Sequence, residues 1–399
     1  MESSITIPAF TSEASLKRKL RKHLSNLGFH KSEDGSLVLP GSGKEIVRNL
    51  HSVQRNDRLK KNQDFITQNS SKLVDHFALG KEIDPAKIRP VLQKVHSGTW
   101  ESDLFRFASL TWSVPVSNGF GRRLRYLVWD SGNNKLMGIL AIGDPVFNLS
   151  VRDQLIGWNS DERGQRLANI LDAYVLGAIP PYNYLLGGKL IACLLRTKEV
   201  YSDFLEIYGN TKGIISGQEK HARLLAITTS SSMGRSSVYN RLKLDGTHYL
   251  KPIGYTGGWG HFHIPDDLFS NLREYLRTIG HPYADMHRFG NGPNWKLRTT
   301  RAALSALGFK ADLLKHGIQR EVFICELARN SLEILQTGKG APDLSGLLSV
   351  DKVSKLALNR WILPRSERMQ EYKFWQQSDL LNLLKVNWQT TSCEIKRFA

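Results

Sequence analysis

DAYVLGAIPPYNYLLGGKLIACLL, residues 172 to 195, is the stretch on which the fold turns. It opens as an apolar run rich in β-branched and aromatic residues, breaks at Pro180-Pro-Tyr-Asn183, and resumes after Gly187-Gly188-Lys189 as an apolar segment of helical composition. The pattern predicts a strand, a turn and a glycine-opened helix. Such a helix start offers backbone N–H groups and the positive end of the helix dipole, which together suit a phosphate. Leu224 to Ser230 (LLAITTS) predicts a second buried strand, followed by MGRSSVYNRLK at 233–243, a short helix carrying Tyr239. If the two strands are neighbours, the helix opened by Gly187 could hold a pyrophosphate while Tyr239 points toward the gap between them. A phenol there could protonate a leaving thiolate or simply close a core. Asp172, at the start of the first strand, is a candidate base or else a cap residue.

Outward from this centre, the chain divides into three expected regions. Residues 1–98 read as a basic helical region. Leu16, Leu20, Leu24 and Leu27 recur at helical spacing, with Lys17, Arg18, Lys19, Arg21 and Lys22 between them. The cationic face suits either a phosphate backbone or solvent, and Gly41-Ser-Gly43 marks a turn. Residues 99–256 form the expected α/β core: RRLRYLVWD at 122–130, a turn at Ser131-Gly-Asn-Asn134 and KLMGILAIG at 135–143 signal a hairpin ahead of the organising stretch. Residues 257–399 read as a basic, all-helical region in which Arg288, Lys296, Arg298, Arg301, Lys310, Lys315 and Arg320 concentrate charge. No internal repeat or low-complexity segment stands out.

Composition bounds the function. At 399 residues the chain can bury a full core. With 41% hydrophobic and 23% charged residues it is globular rather than disordered. Lys plus Arg number 55 against 37 Asp plus Glu, a net charge of +18 that attracts polyanions, nucleic acid foremost. Arg152, Arg235, Arg241, Arg298 and Arg301 are the expected phosphate contacts, because a guanidinium binds phosphate bidentately, with Lys17, Arg18 and Arg21 added from the first helix. Cys193, Cys325 and Cys393 are scattered without a C-x-x-C pair, which predicts a reducing, cytoplasmic setting. Neither a secretory leader nor an apolar run of membrane-spanning length is evident.

Strong catalytic signatures are missing from the sequence: no G-x-x-x-x-G-K-[ST], no G-x-S-x-G and no H-E-x-x-H. His261-Phe-His263, with His281 and His287, lacks carboxylate or thiol partners at a familiar ligand spacing, so no metal site is expected. Asp130, Asp144, Asp153 and Asp172 are acids of the type a metal-dependent nuclease uses, but their spacing selects nothing.

RDQLIGW at 152–158, ILDAYVLGAIPPYNYLLGGKLIACLL at 170–195, MGRSSVYNRLKL at 233–244 and GNGPNWKLRTTRAALSALGF at 290–309 together resemble the signature blocks of the DruA family. The resemblance covers roughly residues 100 to 340. It implies a component of Druantia, a multi-gene bacterial anti-phage defence system that also encodes a very large helicase-like protein. On this reading nucleic acid, most readily DNA, and the other Druantia proteins are the partners.

The central region is also similar to the core of the GNAT acyltransferases, in which a glycine-rich turn grips the pyrophosphate of acyl-CoA and a tyrosine acts as acid. That similarity implies an α+β fold, a GNAT-like mixed sheet between helical N-terminal and C-terminal regions. It would put Gly187, Gly188 and Lys189 at an acyl-CoA cofactor, with Tyr239 and Asp172 as catalytic residues. The superfamily has Gln or Arg, then Gly, then a small residue at positions held here by Tyr184, Gly187 and Lys189. The lysine thus stands where a small residue would admit the backbone close to phosphate. The resemblances leave open three roles: a nucleic-acid-binding component, an acyltransferase acting on nucleic acid or protein, and a structural subunit that recruits the helicase-like partner.

Overall fold

The computed structural model describes residues 10–31, 37–38, 44–117, 119, 121–212, 219–257, 263–285, 295–310, 313 and 318–386. The predicted turn at 41–43, His261, His287, Arg288, Lys315 and Cys393 lie outside them. The chain forms a mixed α/β protein of two units whose sequences interleave. One comprises Met1–Lys61, Gly258–Ile318 and Val386–Ala399, and the other Asn62–Gly257 and Gln319–Lys385.

The larger unit is built on a seven-stranded sheet: β1 (Pro90–Lys94), β2 (Arg123–Asp130), β3 (Lys135–Gly143), β4 (Ile170–Ala178), β5 (Ala226–Ser230), β6 (Lys251–Tyr255) and β7 (Glu321–Glu326), in the spatial order β6-β7-β5-β4-β3-β2-β1. The predicted hairpin is β2–β3, registered from Arg123↔Gly143 to Asp130↔Lys135. Its turn is held by Asp130, whose carboxylate accepts from the backbone N–H of Arg89 and Gly132, each at 2.9 Å, and from the Tyr182 hydroxyl at 3.0 Å. The sheet departs from the sequence reading at both ends. β1 falls within the region expected to be helical, and β7 within the C-terminal region expected to be all-helical. β7 is nonetheless fully integrated, pairing antiparallel with β5 on one side and β6 on the other. Only β4 and β5 pair in parallel, over Ile170↔Ala226, Leu171↔Ile227 and Asp172↔Thr228. Beyond that the Thr229 hydroxyl donates to the Ala173 carbonyl at 2.9 Å, and β4 continues to Ala178 against β3 alone.

The connection between β4 and β5 carries the helix Gly187–Leu194, as the organising stretch predicts. Leu190 through Leu194 are buried, so from its second turn this helix is apolar all round and lies inside the core. It presses close on the sheet at Gly138, where a Cβ would meet Ile191 Cδ1 at 2.1 Å and the Gly177 carbonyl oxygen at 2.5 Å. The helix Val350–Ala357 and a π-helical segment Leu358–Ile362 pack with it, and Val353, Ala357, Trp361 and Ile362 join the same core cluster.

The smaller unit is helical: Phe10–Asn26, Lys44–Lys61, Asp266–Thr278 and Trp295–Ala306 are its main elements. The predicted leucine row is its core. Leu16, Leu20, Leu24 and Leu27 are buried with Leu268, Leu272, Leu276, Leu304 and Leu307. His263 hydrogen-bonds Asp57 Oδ2 at 2.8 Å through Nε2, and its carbonyl meets His23 Nε2 at 3.0 Å, so this imidazole has a structural partner. Among the described residues, no helix is long and apolar enough to cross a membrane.

Candidate nucleic-acid interface and the strand junction

At the junction of β4, β5 and the buried helix, the residues expected to hold a cofactor are engaged with their own chain. Leu186 turns the backbone into the left-handed region at φ 61°. The Gly187 N–H donates to the Tyr182 carbonyl at 2.9 Å and the Lys189 N–H to that of Leu186 at 2.9 Å. A Cβ on Gly187 would sit 2.8 Å from the Tyr182 oxygen and 3.1 Å from Ala178 Cβ, which explains this glycine by close packing. Gly188 lies over the Ala178 nitrogen, with room for a Cβ at 3.9 Å. Lys189 extends to the ring of Trp361, its Nζ 5.3 Å from the centroid.

Tyr239 does come to the parting of the two strands, but on a 3-10 turn, Tyr239–Arg241, rather than an α-helix. The turn is tied down by Glu321, a buried carboxylate that accepts from the Ser236 N–H at 2.9 Å and Asn240 Nδ2 at 2.8 Å. Glu321 escaped the sequence reading, since it lies some eighty positions from the turn it pins. The phenol of Tyr239 lies a long 3.5 Å from the Leu176 carbonyl, its ring meets Phe323 edge-on at 5.4 Å, and burial pushes its pKa up to about 12.

Asp172 accepts a 2.8 Å hydrogen bond from the Thr228 hydroxyl, and burial raises its pKa to about 6, against the Thr228 bond and the Arg152 charge that lower it. The folded state therefore holds this proton more tightly than the unfolded chain, whose value is near 3.8. The carboxyl contributes stability at low pH that is lost as pH rises through about 6. Asp172→Asn keeps an acceptor for Thr228 without the charge. It is expected to raise the unfolding free energy by about 1 to 3 kcal/mol at pH 7.5, with the gain vanishing below about pH 4. Urea melts at the two pH values check this; an equal effect at both would refute it.

The four acids of nuclease type are dispersed among separate partners. Asp130 holds the hairpin turn, Asp144 pairs with Arg122 at 2.8 Å, Asp153 with Arg152 and Arg163, and Asp172 with Thr228. Among the described residues no three metal-ligating side chains gather. The Cys193 and Cys325 thiols are buried, which raises both pKa values.

The arginines divide sharply. Arg152 is fully buried, so it cannot be the phosphate contact expected of it. Its guanidinium donates to Asp153 Oδ1 at 2.7 and 2.8 Å and to the carbonyls of Val146 and Phe147 at 2.9 and 2.8 Å, which ties the segment after β3 to the helix Ser150–Ile156. Arg235 and Arg241 are exposed. In the helical unit, Arg18 and Arg21 are exposed, while Lys17 pairs with Glu13 at 2.5 Å.

Arg298, Arg301 and Ser305 are exposed on one face of the helix Trp295–Ala306, as spacing of three and four residues requires, whereas Thr299, Thr300, Ala303 and Leu304 face inward. That face lines a cleft of about 570 Å³ together with His281 and Tyr283. The two rings lie 5.5 Å apart, and His281 Nδ1 accepts from the Tyr283 N–H at 3.1 Å. The neighbouring acid, Asp285, is held by Arg273 and Arg277 at 3.0 and 2.8 Å. The cleft combines cations with aromatic rings, the pairing by which proteins hold phosphates and unstacked bases. The sequence marks His281 only beside the H-x-H and leaves Tyr283 unmarked; the H-x-Y spacing just after Gly280 is the local signal that joins them.

The chain thus joins a mixed α/β unit built round a glycine-opened, largely buried helix and a helical unit with an arginine-lined cleft, and these features define its class. The family model of Druantia protein DruA matches residues 41–337. Druantia protein DruA of Escherichia coli (strain UMEA 4076-1) is 62% identical over 383 residues, covering 96% of this chain and 95% of that protein. The chain belongs to the DruA family, components of the Druantia anti-phage defence system. No solved structure matches it.

Proposed function

We propose that this protein is the component through which its defence system engages nucleic acid, DNA above all, by a basic surface on the helical unit. The observation that carries the reading is the cleft in which exposed Arg298 and Arg301 face His281 and Tyr283. The net charge of +18 supports it, since such a field gathers polyanions. The other Druantia proteins, a large helicase-like one among them, are the proposed partners, and the cytoplasm is the proposed setting. The test is binding of the full-length protein to a labelled 20-nucleotide strand and its duplex across a series of salt concentrations. A log–log slope of several negative units is expected, because each neutralised phosphate releases about one counterion. Absence of binding at low salt, or binding insensitive to salt, would end the proposal.

The parting of β4 from β5 around a glycine-opened helix and a tyrosine favours a second reading, a GNAT-like scaffold. What argues against its use as an acyltransferase is that the Gly187 and Lys189 N–H groups are already bonded within the chain. Acetyl-CoA in excess is accordingly expected to leave the melting temperature unchanged, whereas a ligand at one hundred times its dissociation constant adds about 2.7 kcal/mol. Tyr239→Phe loses one long hydrogen bond and is expected to shift the melting temperature by no more than about 2 °C. Acetyl-CoA stabilisation that this substitution changes would restore the transferase reading.

A further inference from the structure

β4 and β5 are inner strands of the larger unit's sheet, yet they pair for only three residues, Ile170 to Asp172 against Ala226 to Thr228. What their later residues present follows from the alternation of bonding along a strand. Just past β4 the Ile179 N–H donates to the Met137 carbonyl at 3.0 Å, in the register that sets Ile139 against Gly177. Gly177 and Ile179 therefore turn their backbone groups to β3, while Leu176 and Ala178 turn theirs to the side that β5 has left. After β5 the Ser231 N–H donates to the Glu321 carbonyl at 2.8 Å, which gives Thr229 and Ser231 to β7 and turns Ser230 toward β4. Leu176, Ala178 and Ser230 thus direct their N–H and C=O groups into the parting. Among the described residues these groups have one hydrogen-bond partner, the Tyr239 hydroxyl, at a long 3.5 Å from the Leu176 carbonyl. Solvent reaches all three residues: Leu176 and Ala178 are partly exposed and Ser230 is exposed. Unpaired backbone of this kind ordinarily belongs to the outer strands of a sheet; here it opens between two inner ones.

We infer that the parting of β4 from β5 is a docking slot for an acidic, extended segment of a partner protein, which adds a short strand along Leu176 and Ala178. The spacing selects a polypeptide. Groups on alternate residues repeat as the N–H and C=O of an extended chain do, so the incoming strand meets donor with acceptor. A nucleic-acid backbone carries no such alternation. An acyl-CoA arm also carries amides, but its pyrophosphate would need the Gly187 and Lys189 N–H groups, and both are bonded within the chain. Charge selects the acidic partner. Lys189 follows Gly188, whose Cβ position is 3.9 Å from the Ala178 nitrogen, and Arg241 ends the turn from which Tyr239 meets Leu176. Arg235 stands in the segment that leads from Ser230 to that turn, and both arginines are exposed. The slot lies wholly within the larger unit and does not rest on nucleic-acid binding at the cleft of Arg298 and Arg301.

The test titrates the full-length protein, at about 150 mM salt to screen its general field, with a fluorescent peptide of alternating glutamate and valine, about seven residues long. Anisotropy reads binding, and hydrogen exchange by mass spectrometry reads where. Binding is expected, with new amide protection confined to the stretches around Leu176 to Ala178 and Ser230. The same peptide N-methylated throughout keeps its charge and loses its donors, and is expected to bind about tenfold more weakly or worse. Gly188→Leu puts a side chain beside the Ala178 N–H on a helical turn that accepts leucine readily. It is expected to fold, to weaken the peptide about tenfold and to leave DNA affinity within about twofold. Arg241→Gln changes an exposed side chain and should weaken the peptide about threefold, which keeps the test open should the leucine variant fail to fold. The proposal is overturned if the peptide fails to bind, if its N-methylated form binds as tightly, if protection falls elsewhere or if acetyl-CoA displaces the peptide. It is equally overturned if the protein alone self-associates and protects the same amides, since a second copy would then fill the slot.

Discussion

Arg152→Ala is expected to destabilise the larger unit by about 3 to 5 kcal/mol, the usual cost of removing one member of a buried ion pair. For a unit of this size that lowers the melting temperature by about 6 to 20 °C. The guanidinium makes four hydrogen bonds, two to Asp153 and two to the carbonyls of Val146 and Phe147. Its removal leaves Asp153 and those carbonyls without the guanidinium that joins them. Asp153 keeps Arg163 at 3.0 Å, so the loss should fall toward the lower end of the range. Arg152→Lys retains the charge but has no planar fork to span carboxylate and carbonyls at once, and should recover less than half of the loss. The same substitution separates structure from binding: below its melting temperature Arg152→Ala should bind DNA with the wild-type salt slope. Chemical denaturation and anisotropy on one preparation measure both, and a reduced slope with unchanged stability would return Arg152 to the surface contacts.

How far this architecture can be read in the sequence depends on whether the deciding contacts are local. The strand, turn and helix over 170–194 are legible because apolar runs, prolines and glycines mark them within two dozen residues. The hairpin is legible for the same reason, and the leucine row at 16, 20, 24 and 27 displays helical period directly. β7 is not legible. Its six residues, EVFICE, follow charged sequence and gain strand partners only from β5 and β6, 66 to 100 positions earlier. The sequence pattern carries Tyr239 on a short helix after the second strand, but the 3-10 turn that delivers it depends on Glu321, itself the first residue of β7. Arg152 was misread because an arginine is ordinarily exposed. Nothing in RDQLIGW shows that the carbonyls of Val146 and Phe147 will fold back onto it. The interleaving of the two units is hidden for a related reason, since helices that share one leucine core stand more than two hundred residues apart.

Arg298→Ala combined with Arg301→Ala should produce the largest loss of function without loss of fold. Both side chains are exposed on the outer face of their helix, so stability should change by no more than about 1 kcal/mol for the pair. Two phosphate contacts removed should lower the magnitude of the salt slope by about 2 and reduce affinity at low salt by about ten- to a hundredfold. Because phosphate contacts carry no base information, the loss should be uniform across sequences. Tyr283→Ala distinguishes the two ways the cleft can work. If the ring stacks an unpaired base, this variant weakens the single strand by about 1 to 3 kcal/mol, spares the duplex and leaves the salt slope unchanged. Equal weakening of both would mean that the ring serves only to shape the cleft. A double arginine variant with the wild-type slope would move the interface to another basic face of the helical unit, where exposed Arg18 and Arg21 on the helix Phe10–Asn26 are the next to be tested.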